Sequence, residues 1–175
     1  VRFVFPHAPH RPVTLNNGYV MRAWYDLGMG ERGYMQDATH IAESVQSVHA
    51  LARREMERGI EPRRIVFAGF SQGGVIALHA GLRWSQPLAG IMVLSAPVTD
   101  PDTLVKSALV SRATPIFMGH GRNDQIAPFG LAQRAAESLR ADGRKVEWQL
   151  YPMEHTVSRG EIDDIGTWLG NVLNT

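Results

Sequence analysis

Between Arg64 and Leu78 the chain passes from a β-branched and aromatic run, Ile65-Val66-Phe67, through Gly69-Phe70-Ser71-Gln72-Gly73-Gly74 into an apolar helical run, Val75-Ile76-Ala77-Leu78. A strand that becomes a helix within so few residues leaves the backbone little choice. In a Gly-x-Ser-x-Gly turn of this kind the serine occupies a strained strand-to-helix corner, with its hydroxyl exposed above the sheet. Side chains at 69 and 73 are expected to collide where strand and helix nearly touch, a contact that only glycine avoids cheaply. The helix then aims its first N–H groups and the positive end of its dipole at the serine, which favours negative charge there. The five-residue pattern alone is a weak signal, and chance is its alternative. The strand before it and the helix after it make it the organising element of the chain.

Composition narrows the classes. The 175 residues are 44% apolar and 20% charged, which suits one globular domain over 1–175 with a sizeable core. A net charge of +1 and a pI near 8.4 give no electrostatic reason to expect nucleic acid or an anionic membrane as partner. The absence of cysteine excludes disulfides, thiolate catalysis and Cys-ligated zinc. No apolar run reaches the roughly 18–20 residues of a membrane span. The chain opens without Met on a strand-like run, Val1-Arg2-Phe3-Val4-Phe5. Residues upstream are therefore expected, and a signal peptide among them is left open. The location expected for the chain as it stands is the cytoplasm.

The pattern along the chain alternates strands with helices. A strand is expected over 1–5, followed by an extended stretch enforced by Pro6, Pro9 and Pro12. Residues 13–35 read as a long functional loop, with a polar turn at Asn16-Asn17-Gly18, an aromatic cluster at Trp24-Tyr25-Asp26, and Gly28, Gly30 and Gly33 keeping it irregular. A helix follows from about Asp37 to Arg58, on the spacing of Ile41, Val45, Val48, Ala52 and Met56, and Gly59 stops it. After the turn at Ser71 the helix runs to about Trp84. Ile91-Met92-Val93-Leu94 reads as a strand covered on both faces. A loop with a helical turn over 101–112, a strand from Pro115 to Met118, a helix over 129–141 and a strand from Val146 to Tyr151 complete the alternation. The last helix opens with a Ser158-x-x-Glu161 capping box and presents Ile162, Ile165, Trp168, Leu169 and Val172 on one face. The fold class this implies is α/β, a mainly parallel sheet with helices on both faces.

A serine needs a base, and for this arrangement the order along the chain is Ser, acid, His, with both partners in loops after strands. Asp124 follows the 115–118 strand and is the preferred acid, although a helix-capping role is the alternative for a loop aspartate. Asp100 and Asp102 compete with it. His155 follows the 146–151 strand and is the only histidine after Asp124. His120 receives a supporting or structural role, and the remaining histidines show no metal-ligand spacing. The chemistry implied is attack by Ser71 on a carbonyl with His155 as general base, an acyl-enzyme, and hydrolysis by water. The backbone N–H of Gln72 is the expected oxyanion donor. No metal and no cofactor is called for. Met21, Trp24, Ile126 and Phe129 are candidates for an apolar acyl pocket, with ordinary packing as the alternative for each.

These residues carry a resemblance. Phe5-Pro6-His7-Ala8-Pro9, Met21 to Asp26, Gly69 to Gly74, His120 to Asp124 and His155 to Ser158 make the chain similar to the phospholipase/carboxylesterase group of α/β-hydrolases, which includes acyl-protein thioesterases. The resemblance covers nearly the whole chain. It implies Ser71, Asp124 and His155 as a triad, short- to medium-chain esters or thioesters as small-molecule substrates, and Trp24 as a pocket residue beside the site. Members of the family carry, before the equivalent of Val1, an apolar strand ending in a His-Gly-x-Gly loop that supplies the second oxyanion N–H. Nothing in these 175 residues reproduces it, so the resemblance implies an N-terminally truncated fold. Three outcomes follow: a fragment of a longer protein, direct pairing of the 1–5 and 65–70 strands, or a strand from another chain. A homodimer is one assembly this allows. The competing functional class is a non-catalytic, hydrolase-like binding or interaction domain.

Overall fold

The computed structural model describes residues 1–31 and 33–174. Its elements are β1 (His10–Val13), β2 (Tyr19–Arg22), β3 (Leu27–Gly30), β4 (Gly33–Gln36), α1 (Ala38–Glu57), β5 (Val66–Phe70), α2 (Gln72–Leu82), β6 (Gly90–Leu94), α3 (Pro101–Lys106), β7 (Ile116–Gly121), α4 (Phe129–Ala141), β8 (Val146–Tyr151) and α5 (Arg159–Leu173). The last four strands form one parallel sheet in the order β5-β6-β7-β8.

Alternation along the inner strands divides the core into two layers. Ile91, Val93, Ile116 and Met118 point to one face and join apolar side chains from α1, α2, α3 and α4. Met92, Leu94 and Phe117 point to the other and meet Trp168 and Val172 of α5. Every residue of β6 and β7 is buried, as expected of strands covered on both sides. Gly90 leaves room for the Trp168 ring, because a Cβ there would lie 2.5 Å from it.

The first 36 residues depart from expectation. Residues 1–9 contain no strand, and Val1, Phe3, Val4 and Phe5 are exposed. A strand needs a neighbour to accept and donate along its length, and this segment finds none. It is held by an Arg2–Glu55 ion pair at 3.7 Å and a Phe3–Phe5 ring stack. It does not pair with β5, whose Ala68 and Phe70 remain exposed. The stretch read as one irregular loop is instead two antiparallel hairpins, β1–β2 and β3–β4. The polar turn lies where it was expected: Asn17 and Gly18 both adopt positive φ, 54° and 74°, and reverse the chain between β1 and β2. Gly28 and Gly30, read as breakers, are strand residues of β3.

The last helix also departs in detail. Ser158 caps it, accepting the Glu161 N–H at 3.2 Å. Glu161 does not return the bond. Its carboxyl is fully buried, and neither oxygen has a hydrogen-bond partner among the described residues. It fills the space left by Gly119 of β7, where a Cβ would lie 2.3 Å from Oε1. Ile162, expected on the apolar face, is exposed.

Burial raises the Glu161 carboxyl to about 7. The folded chain keeps the Glu161 proton above the ordinary carboxyl range while the unfolded chain loses it, so folding stability is full below that range and falls as pH climbs toward 7. The wild-type chain is expected to lose on the order of 3 kcal/mol relative to Glu161→Gln between pH 4.5 and 7. Urea unfolding of both proteins across that window checks this, and parallel curves would refute it.

Candidate active site

The parallel registers bring four chain segments to one edge. Phe70 pairs with Leu94, Leu94 with Gly119, and Gly121 with Tyr151. Ser71, Ser95, the 122–128 loop and the 152–157 loop therefore all leave the carboxyl ends of neighbouring strands, where parallel sheets place their sites.

Ser71 joins β5 to α2 with φ 55° and ψ −121°, in a region that non-glycine residues rarely enter. Its N–H donates to Leu94 O at 2.8 Å, and its carbonyl accepts from Gly74 and Val75. Gly69 permits this corner: a Cβ there would lie 2.1 Å from Gly73 O. The expectation for Gly73 itself is corrected. A Cβ at 73 meets nothing nearer than Trp24 Nε1 at 3.8 Å. The second tight position is Gly74, whose Cβ would lie 2.8 Å from that of Ala96.

His155 and Asp124 converge on this serine. The Ser71 hydroxyl lies 3.0 Å from His155 Nε2, and His155 Nδ1 lies 2.7 Å from Asp124 Oδ2. A carboxylate accepts only, so Nδ1 carries the proton and Nε2 is free to accept from Ser71. The two Asp124 oxygens do different work. Oδ1 accepts the N–H groups of Ile126 and Ala127 at 2.9 and 2.7 Å, which closes the loop, and Oδ2 faces His155. The carboxylate is buried and the imidazole half-buried, with the Phe70 ring 4.8 Å from that of His155. The competing acids are occupied elsewhere: Asp100 caps α3 through the Thr103 N–H, and Asp102 accepts from Ser138. His120 lies behind Asp124 rather than beside Ser71, with Nε2 3.5 Å from Asp124 Oδ2. Among the described residues no group of three or more His, Asp or Glu side chains is arranged to hold a metal ion.

Gln72 opens α2, so its N–H has no intrahelical acceptor. Its side chain has a second use that sequence reasoning missed. Oε1 accepts the Trp24 N–H at 2.9 Å, and Nε2 donates to Tyr25 O at 3.1 Å. These bonds lash the Trp24–Asp26 segment to the serine corner, and Ser44 adds a bond to Trp24 O. Tyr25 is fully buried, which raises its hydroxyl well above the usual tyrosine range. That hydroxyl accepts from Gln36, whose amide also donates to Pro97 O and accepts from Thr99. Trp24 is half-buried, with its indole nitrogen 3.8 Å from where a Cβ on Gly73 would lie. Nothing in residue order announces the Gln72 contacts, since the partners lie 47 and 48 residues apart.

A family model described as phospholipase/carboxylesterase matches residues 1–173. An acyl-protein thioesterase 1 of Gibberella zeae is 36% identical over 178 residues, covering 97% of this chain and 76% of the relative. The carboxylesterase SOBER1 of Arabidopsis thaliana is 33% identical, covering 95% and 75%. The crystal structure of Arabidopsis SOBER1 superposes with a TM-score of 0.85 at 32% identity, over 97% of this chain and 83% of that one. Acyl-protein thioesterase 2 of Zea mays, at 24% identity and a TM-score of 0.79, shares the fold.

Three substitutions test the site's construction. Gly69→Ala is expected to destabilise the chain by about 3 kcal/mol or more, and Gly73→Ala to change it by less than about 1 kcal/mol. Equal losses in urea unfolding would contradict the backbone contact described. Gln72→Ala removes the acceptor of the Trp24 amide, which is then expected to exchange its hydrogen about five- to tenfold faster. Unchanged exchange would mean that packing alone holds the segment.

Proposed function

We propose that this chain, which belongs to the phospholipase/carboxylesterase family of α/β-hydrolases, cleaves carboxylic esters or thioesters with Ser71 as nucleophile, His155 as general base and Asp124 as the acid that orients it. The observation that carries this reading is the unbroken hydrogen-bonded chain Asp124–His155–Ser71 at the carboxyl edge of the sheet. His155 Nε2 accepts the Ser71 proton as Oγ attacks the substrate carbonyl. The imidazolium that results faces a buried carboxylate, which favours its charge. The negative oxygen of the tetrahedral intermediate lies against the Gln72 N–H and the positive end of α2. His155 then gives its proton to the departing alcohol or thiol, and water releases the acid by the same route in reverse.

The substrate class rests on the family. Met21, Ile126 and Phe129 are exposed apolar side chains, and the Trp24 indole nitrogen lies near Gly73. We read them as the apolar surface for an acyl chain of short to medium length. Among the described residues no helix is long and apolar enough to cross a membrane.

The test is hydrolysis of a short-chain p-nitrophenyl ester and of its thioester counterpart, with Ser71→Ala beside the unaltered chain. The expected outcome is turnover that falls at least about a thousandfold in the variant. Equal turnover in both proteins would remove Ser71 from the mechanism.

A further inference from the structure

His120 is the penultimate residue of β7, and no step of the reaction uses it. Its ring is fully buried, 6.2 Å from that of Trp148 on β8. Nε2 lies 2.7 Å from Ala127 O and 3.5 Å from Asp124 Oδ2, and Nδ1 has no partner among the described residues. A carbonyl oxygen can only accept, so Nε2 carries the proton and, in the neutral ring, Nδ1 is bare. The Ala127 peptide is thereby gripped at both ends. Its N–H donates to Asp124 Oδ1 at 2.7 Å, and its carbonyl accepts from His120.

We propose that His120 is a positioning residue of this site: a neutral Nε2–H donor that clamps the Ala127 peptide and so holds Asp124 Oδ2 toward His155. The proposal rests on the roles given above to Ser71, Asp124 and His155. Two features fit a clamp better than simple filling. An apolar side chain would fill the same volume without burying a nitrogen that lacks a partner, a substitution that ordinarily costs nothing in packing. The surroundings also keep the ring uncharged. Burial is the largest influence on it and lowers its affinity for a proton, outweighing the Ala127 carbonyl and Asp124, which act the other way, while His155 adds to the lowering. An imidazolium at this position would compete with the protonated His155 for the same carboxylate. A neutral donor orients Asp124 without drawing on its charge.

The experiment compares His120→Phe, which keeps the volume and removes the donor, with His120→Gln, which restores an N–H near the position of Nε2. Ester hydrolysis gives kcat and KM, and proton NMR in a Ser71→Ala background reads the downfield His155 Nδ1–H resonance. His120→Phe is expected to lower kcat about ten- to a hundredfold with KM nearly unchanged, and to shift or abolish the resonance. His120→Gln is expected to recover most of both. A merely structural role would lower the melting temperature of His120→Phe but leave kcat and the resonance in place, and that result overturns the proposal while leaving the triad intact. No turnover in the unaltered chain would overturn both. Should His120→Phe not fold, nitrogen-15 NMR of the unaltered protein decides: a neutral Nε2–H tautomer at His120 supports the clamp, and an Nδ1–H tautomer or a charged ring refutes it.

Discussion

The approach of two backbones at Gly69 and Gly73 governs what the rest of this molecule can do. With Ser71 at positive φ, α2 folds back against the end of β5 so closely that a single Cβ at 69 would lie inside the Gly73 carbonyl. That closeness starts α2 directly at Ser71, whose carbonyl accepts the N–H groups of Gly74 and Val75. It also fixes the serine relative to the next strand, through the Ser71 N–H to Leu94 O bond and the fit of Gly74 against Ala96. A strained residue persists only where its surroundings over-determine it, and here β6, α2 and the Gln72 side chain all do so.

The site is completed by loops whose ends are tied down by polar atoms rather than by packing alone. Asp124 uses one oxygen to close its own loop and the other to face His155. Gln72, the first residue after the serine, uses its side chain to hold Trp24 and Tyr25. The ionisable groups buried beneath this edge favour their uncharged forms. Burial raises the carboxyl of Glu161 and the hydroxyl of Tyr25 and lowers the imidazole of His120.

Much of this was legible in residue order. The strand–turn–helix around Ser71, the parallel alternation, the helix ended by Gly59 and the strand at Val146–Tyr151 follow from periodicity and turn chemistry that act over a few residues. The choice of Asp124 and His155 follows from chain order, and the structure brings both to Ser71. The failures share a cause. Val1–Phe5 has strand composition, but a strand exists only with a partner, and composition does not supply one. The Ser158–Glu161 pair has the capping-box spacing, yet the space beneath Gly119 takes the carboxyl instead. Gly73 and Gly74 are adjacent in sequence, and only the packing of α2 on Ala96 tells which of them is tight.

The sequence by itself determined the local conformations, since glycine placement, apolar period and turn residues act within a few positions of one another. It also determined the chemical types available to the site: a hydroxyl at a strained corner, and a carboxylate and an imidazole on loops that follow strands. Only the tertiary structure decided the distances, because a 3.0 Å contact between Ser71 and His155, 84 residues apart, exists only once four parallel strands align their carboxyl ends. It likewise decided which buried groups go unpaired and which face His120 turns toward Asp124. Hydrogen bonds and desolvation depend on what surrounds an atom in space, and that is set by the packing of the whole sheet.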